Sequence, residues 1–195
     1  LAGSDLKTGS SIENSSTGVV TITGENSGGL VVLSGGVNAK NAGEINLTSA
    51  AENSFGIYAT SANTNAITNT GKINISGKNS IGLRAEGGTL VNDTGSAVNI
   101  TGGSGNIGMY ASSGSVTNKG EIKITGGTQN KAFFITGAGS TGASSNKVDI
   151  NADESYGVIV TNGGYHTGSG TFSISGNDSY GFVAKGGTIN GGSSL

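Results

Sequence analysis

A chain of 195 residues with 38 glycines, no proline, cysteine or tryptophan, and only 11% charged residues excludes disulfide frameworks, thiolate nucleophiles and cysteine-based zinc sites. A formal net charge of -2, with Arg84 the single arginine, excludes the cation cluster that gripping nucleic acid requires. No apolar run approaches the ~20 residues of a membrane helix, and the abundance of Ile, Val, Thr, Asn and Gly suits short strands and tight turns rather than disorder.

One phrase repeats along the chain, and its parts recur in a constant order. Each period opens on a short strand that ends at asparagine, as in Ser11-Ile-Glu-Asn14, Ala66-Ile-Thr-Asn69, Thr89-Leu-Val-Asn92 and Ser115-Val-Thr-Asn118. An alternating apolar pair follows: Val20/Ile22, Ile45/Leu47, Ile73/Ile75, Val98/Ile100, Ile122/Ile124, Val148/Ile150 and Phe172/Ile174. Polar residues between the members of each pair mark a half-buried strand.

The period closes on a glycine phrase. It reads Asn53-Ser-Phe-Gly-Ile-Tyr-Ala59, Asn79-Ser-Ile-Gly-Leu-Arg-Ala85, Asn106-Ile-Gly-Met-Tyr-Ala111, Glu154-Ser-Tyr-Gly-Val-Ile-Val160 and Asp178-Ser-Tyr-Gly-Phe-Val-Ala184. With Gly29 before them, and Phe133 taken in the glycine's place, the spacings run 27, 26, 26, 25, 24 and 24.

Three short strands per period of ~25 residues predict an all-β fold, a parallel β-solenoid of about seven coils occupying residues 1-195 as a single segment. Hairpins would need an even number of strands to restore their direction after one period, so a coil is the consistent solution. Equivalent residues then become vertical neighbours ~4.8 Å apart. Ile22, Leu47, Ile75, Ile100, Ile124, Ile150 and Ile174 are expected as an interior aliphatic column. Asn14, Asn41, Asn69, Asn92, Asn118 and Asn146 are expected as a turn column whose amides bond up the stack.

The phrases Asn69-Thr-Gly-Lys-Ile-Asn-Ile-Ser-Gly77 and Ser54-Phe-Gly-Ile-Tyr-Ala59 resemble the passenger repeats of large monomeric autotransporter adhesins of Gram-negative bacteria, particularly the very long fusobacterial ones. The resemblance covers roughly residues 12-190, and its motifs are scaffold motifs rather than ligand motifs. It implies a right-handed β-helix exported through an outer-membrane β-barrel and displayed on the cell surface as an adhesin. Partners implied are a host-cell surface glycan or receptor protein, another bacterium, and the neighbouring β-helix coils of a parent chain. The chain opens at Leu1 without a signal peptide, which fits a segment of something longer. The repeats are unlike those of trimeric autotransporter heads.

Clustered carboxylates would be the mark of catalysis, since some parallel β-helices cleave polysaccharides with them. The twelve acids are scattered about one per coil, except where Asp153 and Glu154 precede Asn177 and Asp178 by one repeat. Glu154 beneath Asp178, with oxygens from Asp153 and Asn177, predicts either a weak Ca²⁺ site or a solvated turn column that carries Asn26, Asn53, Asn79 and Asn130 elsewhere. His166, the sole histidine, has no Ser, Asp or metal partner at a recognisable spacing, and no cofactor is expected.

Parity along the glycine phrase supplies the most function-like feature. If Ile57, Leu83, Met109, Val158 and Phe182 point inward, the following residue points out. That column reads Val31, Tyr58, Arg84, Tyr110, Ile135, Ile159 and Val183, with the glycines beside it on the same face. A large apolar stripe facing solvent marks either a contact surface for a ligand or a face that a loop or another part of a longer chain covers, and Tyr58, Arg84 and Tyr110 together offer cation–π stacking. The leading expectation is therefore a non-catalytic adhesin segment. A carbohydrate-active enzyme and an ice-binding or spacer solenoid are the alternatives.

Overall fold

The alternation in Val20-Thr21-Ile22 produces a short strand with one face buried, and the same logic holds in the strands on either side of it. In the first coil these are β1 (Ser11–Asn14), β2 (Val19–Ile22) and β3 (Gly28–Val32). In the computed structural model, which describes residues 9–33, 36–60 and 64–191, this trio recurs until 22 strands have formed. Each strand pairs in parallel with the third one after it, giving three sheets of 8, 7 and 7 strands. The molecule is a parallel β-solenoid of about seven coils with a sheet on each of three sides.

Register follows the sequence columns. Ile22 pairs with Leu47, Leu47 with Ile75, and the series continues through Ile100, Ile124 and Ile150 to Ile174. These residues join the inward residues of the other two sheets in one continuous core. Each fully buried large side chain contributes roughly 1.5–3 kcal/mol, and a long interior of such side chains offsets the small yield of any single coil.

The asparagine column closes the turn after the first sheet. Asn14 Nδ2 donates to Asn41 Oδ1, Asn41 to Asn69, Asn69 to Asn92 and Asn92 to Asn118, each at 2.7 Å. The partners lie 23 to 28 residues apart in sequence, so turn length varies while register does not. At the sixth place the ladder departs from the expected order. Ser144 pairs with Asn118 and accepts its amide at 3.4 Å, whereas Asn146 turns away and donates to the Lys119 carbonyl. The step from Ser144 to Val148 equals that from Asn118 to Ile122, which leaves Asn146 inside the turn, and it is strand register, not the next available asparagine, that selects the column.

A second polar ladder runs at the other end of the coil. The backbone N–H of Ser27 donates to Ser54 Oγ, that of Ser54 to Ser80 Oγ, that of Ser80 to Asn106 Oδ1, and that of Asn106 to Asn130 Oδ1. Asn130 therefore belongs to this buried ladder. The left-handed turn column just before it holds Asn26, Asn53, Asn79, Gln129, Glu154 and Asp178, all with φ near 50–58°.

Candidate functional site

The third sheet does not alternate strictly. In Phe55–Thr60 and its equivalents the glycine and the residue after it are both buried, and exposure resumes one residue later. A Cβ on Gly56 would stand 2.7 Å from the Gly82 carbonyl oxygen and 3.0 Å from Ile73 Cγ2. A Cβ on Gly82 would stand 2.6 Å from the Gly108 oxygen and 3.0 Å from Val98 Cγ1. The glycines thus face the interior at the corner where the second sheet passes into the third. They admit the next coil's backbone and the neighbouring core side chains, so the expectation that they share the outer face with the outward column is corrected.

The double inward step leaves three outward columns on this sheet: Thr60, Glu86, Ser112, Thr136, Thr161 and Lys185 form a polar one at the strand ends, and two others precede it. One joins Gly28, Phe55, Ile81, Ile107, Lys131, Tyr156 and Tyr180 in register. The other joins Val31, Tyr58, Arg84, Tyr110, Phe134, Ile159 and Val183. Phe134 stands where Ile135 was expected. Ile135 is fully buried and pairs with Ala111 and Val160, and Ala132, not Phe133, holds the glycine position between Gly108 and Gly157. A one-residue slip in strand register exchanges inside for outside, and the run Lys131–Ile135 offers no glycine to anchor the count. The first column was not anticipated, although the phrase Phe-Gly-Ile-Tyr, with an aromatic residue on each side of two buried positions, carries its signal.

Aromatic contacts join these two columns at Phe55 and Tyr58 and link successive coils within each column. Phe55 and Tyr58 lie 5.1 Å apart, Tyr110 and Phe134 5.7 Å apart, and Tyr156 stacks on Tyr180 at 5.7 Å with the rings 16° from parallel. Tyr180 is 55% exposed. The second sheet differs: its outward residues include Thr21, Asn46, Asn74, Asn99, Lys123 and Asp149, with Asn74 donating to Asn46 at 2.7 Å and Asn99 to Asn74 at 2.9 Å.

Arg84 is held within this surface rather than projecting from it. Its guanidinium lies 5.3 Å from the Tyr58 ring centroid, 5.8 Å from Phe55 and 6.0 Å from Tyr110, and its Nε donates to Glu86 Oε1 at 3.0 Å. The Tyr58 hydroxyl donates to the other carboxylate oxygen at 2.7 Å. Burial raises the Tyr58 pKa, reinforced by the hydrogen bond to Glu86. Burial alone would raise the pKa of Glu86, but hydrogen bonds from Tyr58 and Arg84 and the Arg84 charge outweigh it and leave it lowered. Glu86, unremarked in the sequence, neutralises the arginine that the stripe appeared to offer.

The Asp153, Glu154, Asn177 and Asp178 quartet lies on the turn between the second and third sheets. Asp153 Oδ1 accepts the backbone N–H of Asn177 at 2.8 Å, and Glu154 Oε2 accepts Gln129 Nε2 at 3.3 Å. Among the described residues no three His, Cys, Asp or Glu side chains come together to hold a metal, and Glu154 and Asp178 sit in the left-handed turn column.

His166 points into the core, 5.0 Å from Phe133 and 6.3 Å from Phe172. Neither ring nitrogen has a hydrogen-bond partner, and burial lowers its pKa to about 4. It is a neutral core residue with no reacting group beside it.

Three parallel sheets wound from one repeat, with polar ladders at the corners, define the class: a parallel β-solenoid repeat protein. No family model, no curated protein and no solved structure matches the chain.

Proposed function

We propose that this solenoid is a segment of a bacterial surface adhesin, carried as an exported passenger, that acts as a stiff rod and contact surface without catalysis. The observation that carries the reading is the contrast between faces of one regular scaffold. Two of the third sheet's outward columns present mainly aromatic and aliphatic side chains from Phe55 to Tyr180, whereas the second sheet presents amides, hydroxyls and charges. An aligned apolar surface on a soluble scaffold marks a place of association. Parallel stacking at ~4.8 Å per coil makes the rod roughly 30 Å long over its seven layers, enough to hold the face at a fixed orientation.

The contact acts as a preformed surface. Arg84, Glu86, Tyr58 and Phe55 are already locked to one another, so little side-chain entropy remains to be lost on contact. Attachment of bacteria to host cells or partner bacteria, measured with and without residues 1-195 in the displayed protein, tests the adhesive role. Reduced attachment on deletion is expected. Unchanged attachment would leave a spacer.

A further inference from the structure

The charges on this solenoid are not evenly neutralised. Glu13, Glu44, Glu86, Asp93, Glu121 and Asp149 each lie within an ion pair, with Lys40, Lys72, Arg84, Lys119, Lys123 and Lys147 respectively. The remaining acids among the described residues are Glu25, Glu52, Asp153, Glu154 and Asp178. All five fall on a single corner, the turn between the second and third sheets. Lys78 is the only cation on that corner among the described residues. The corner borders the aromatic face along its whole length.

Corner and face meet in a groove of about 510 Å³ whose lining includes Glu154 and Asp178 on one side and Tyr156, Ile159, Tyr180 and Val183 on the other. Lys131 also lines it, but its ammonium donates to the Gln129 carbonyl at 2.9 Å and lies 6.0 Å from the Tyr156 ring centroid. Arg84 is committed to Glu86. The groove thus combines flat rings with two carboxylates that lie in no ion pair among the described residues, and its one cation, Lys131, is held against the Gln129 carbonyl and the Tyr156 ring, with Lys185 beyond it at the end of the sheet's last strand. Acidic glycans would meet like charge here, whereas a cation gains both a carboxylate and an aromatic face.

We propose that this face docks a basic polypeptide segment, whose Lys or Arg side chains reach Glu154 and Asp178 while its apolar side chains lie on Tyr156, Ile159 and Tyr180. Charge complementarity along the corner steers the segment, and the rings supply the desolvated contact. The partner's chemistry rests on the contact reading of this face given above.

Fluorescence polarisation with the intact 195-residue chain tests it. The probes are a labelled peptide of three Arg-Ser-Tyr repeats, its Glu-Ser-Tyr counterpart, and a labelled heparin fragment. Binding of the basic peptide alone is expected, weakening as salt rises. The Glu154→Gln/Asp178→Asn double variant should weaken it about three- to tenfold, the range for two partly exposed ion contacts. Tyr180→Ser should weaken it further, and Glu13→Gln/Asp93→Asn, on other faces, should leave it unchanged. Circular dichroism checks that each variant is folded. Preferential binding of heparin or the acidic peptide, or equal binding by the Glu154/Asp178 variant and the parent, would overturn it. Attachment that depends on the segment yet resists competition by the basic peptide would also overturn it while leaving the adhesive role standing. Conversely, peptide binding that disappears in the Glu154/Asp178 variant upholds the docking chemistry even if deletion leaves cell attachment unchanged.

Discussion

Gly142 and His166 are register partners in adjacent coils, and the missing side chain at Gly142 makes room for the imidazole: a Cβ there would lie 3.0 Å from His166 Cδ2 and 2.8 Å from Ile135 Cδ1. Phe133 and His166 together fill the space that smaller residues occupy in other coils. A Gly142→Val substitution would overpack this layer and is expected to cost roughly 1–3 kcal/mol. Urea denaturation measures it.

His166 makes the fold sensitive to acid. Its folded-state pKa of about 4 lies below the ordinary 6.5, so between those values the unfolded chain binds a proton that the folded chain refuses. Stability is therefore undiminished above pH ~6.5, falls as pH drops toward ~4, and levels off below, with a total loss of about 3 kcal/mol. For a chain of this size that corresponds to a fall in Tm of about 5–10 °C. His166→Leu should flatten this part of the profile. A variant with the parent's slope between pH 6.5 and 4 would assign the loss to other groups.

The asparagine ladder predicts a penalty that side-chain volume does not. Asn69 accepts from Asn41 and donates to Asn92, all three buried. Asn69→Leu removes one partner from each neighbour, while Asn41 Nδ2 keeps the Gly43 and Lys72 carbonyls at 3.3 Å and Asn92 Oδ1 keeps the Ser96 hydroxyl at 2.7 Å, so a total loss of roughly 1–3 kcal/mol is expected. Ser144 already shows that the ladder admits a shorter hydrogen-bonding residue, so Asn69→Ser should cost less than Asn69→Leu in the same denaturation series.

Stacking, rather than backbone conformation, constrains the glycine column. Gly82→Ala brings a methyl group against the Gly108 carbonyl oxygen and Val98, and a loss of about 1–3 kcal/mol is expected. Ala132→Gly, where that column already accepts a methyl group, should by contrast change stability by less than about 1 kcal/mol.

The Tyr58–Glu86–Arg84 cluster can be read by titration. Tyr58→Phe removes the donor to Glu86 Oε2, so the Glu86 carboxyl pKa should rise from its lowered value toward the ordinary carboxylate range. Heteronuclear NMR of the Glu86 side chain follows it. An unchanged titration would mean that Arg84 alone holds the carboxylate ionised.

The periodic sequence by itself determined the coil, the parallel pairing, the aliphatic column from Ile22 to Ile174 and most of the asparagine ladder. Each of these follows from residues of one kind returning at one place in every repeat, and burial of such columns needs no knowledge of the corners. The tertiary structure alone decided what the corners do. At Gly56 and its equivalents the chain bends and buries two residues in succession, which breaks period two and adds the column from Phe55 to Tyr180 to the outer face. In Lys131–Ile135, where four large residues compete for the inward places, pairing with Met109 and Val158 settles Phe133 inward, Phe134 outward and Ile135 inward. The role of Arg84 was decided in the same way, because Glu86 and the rings from neighbouring coils meet it only once the layers are stacked.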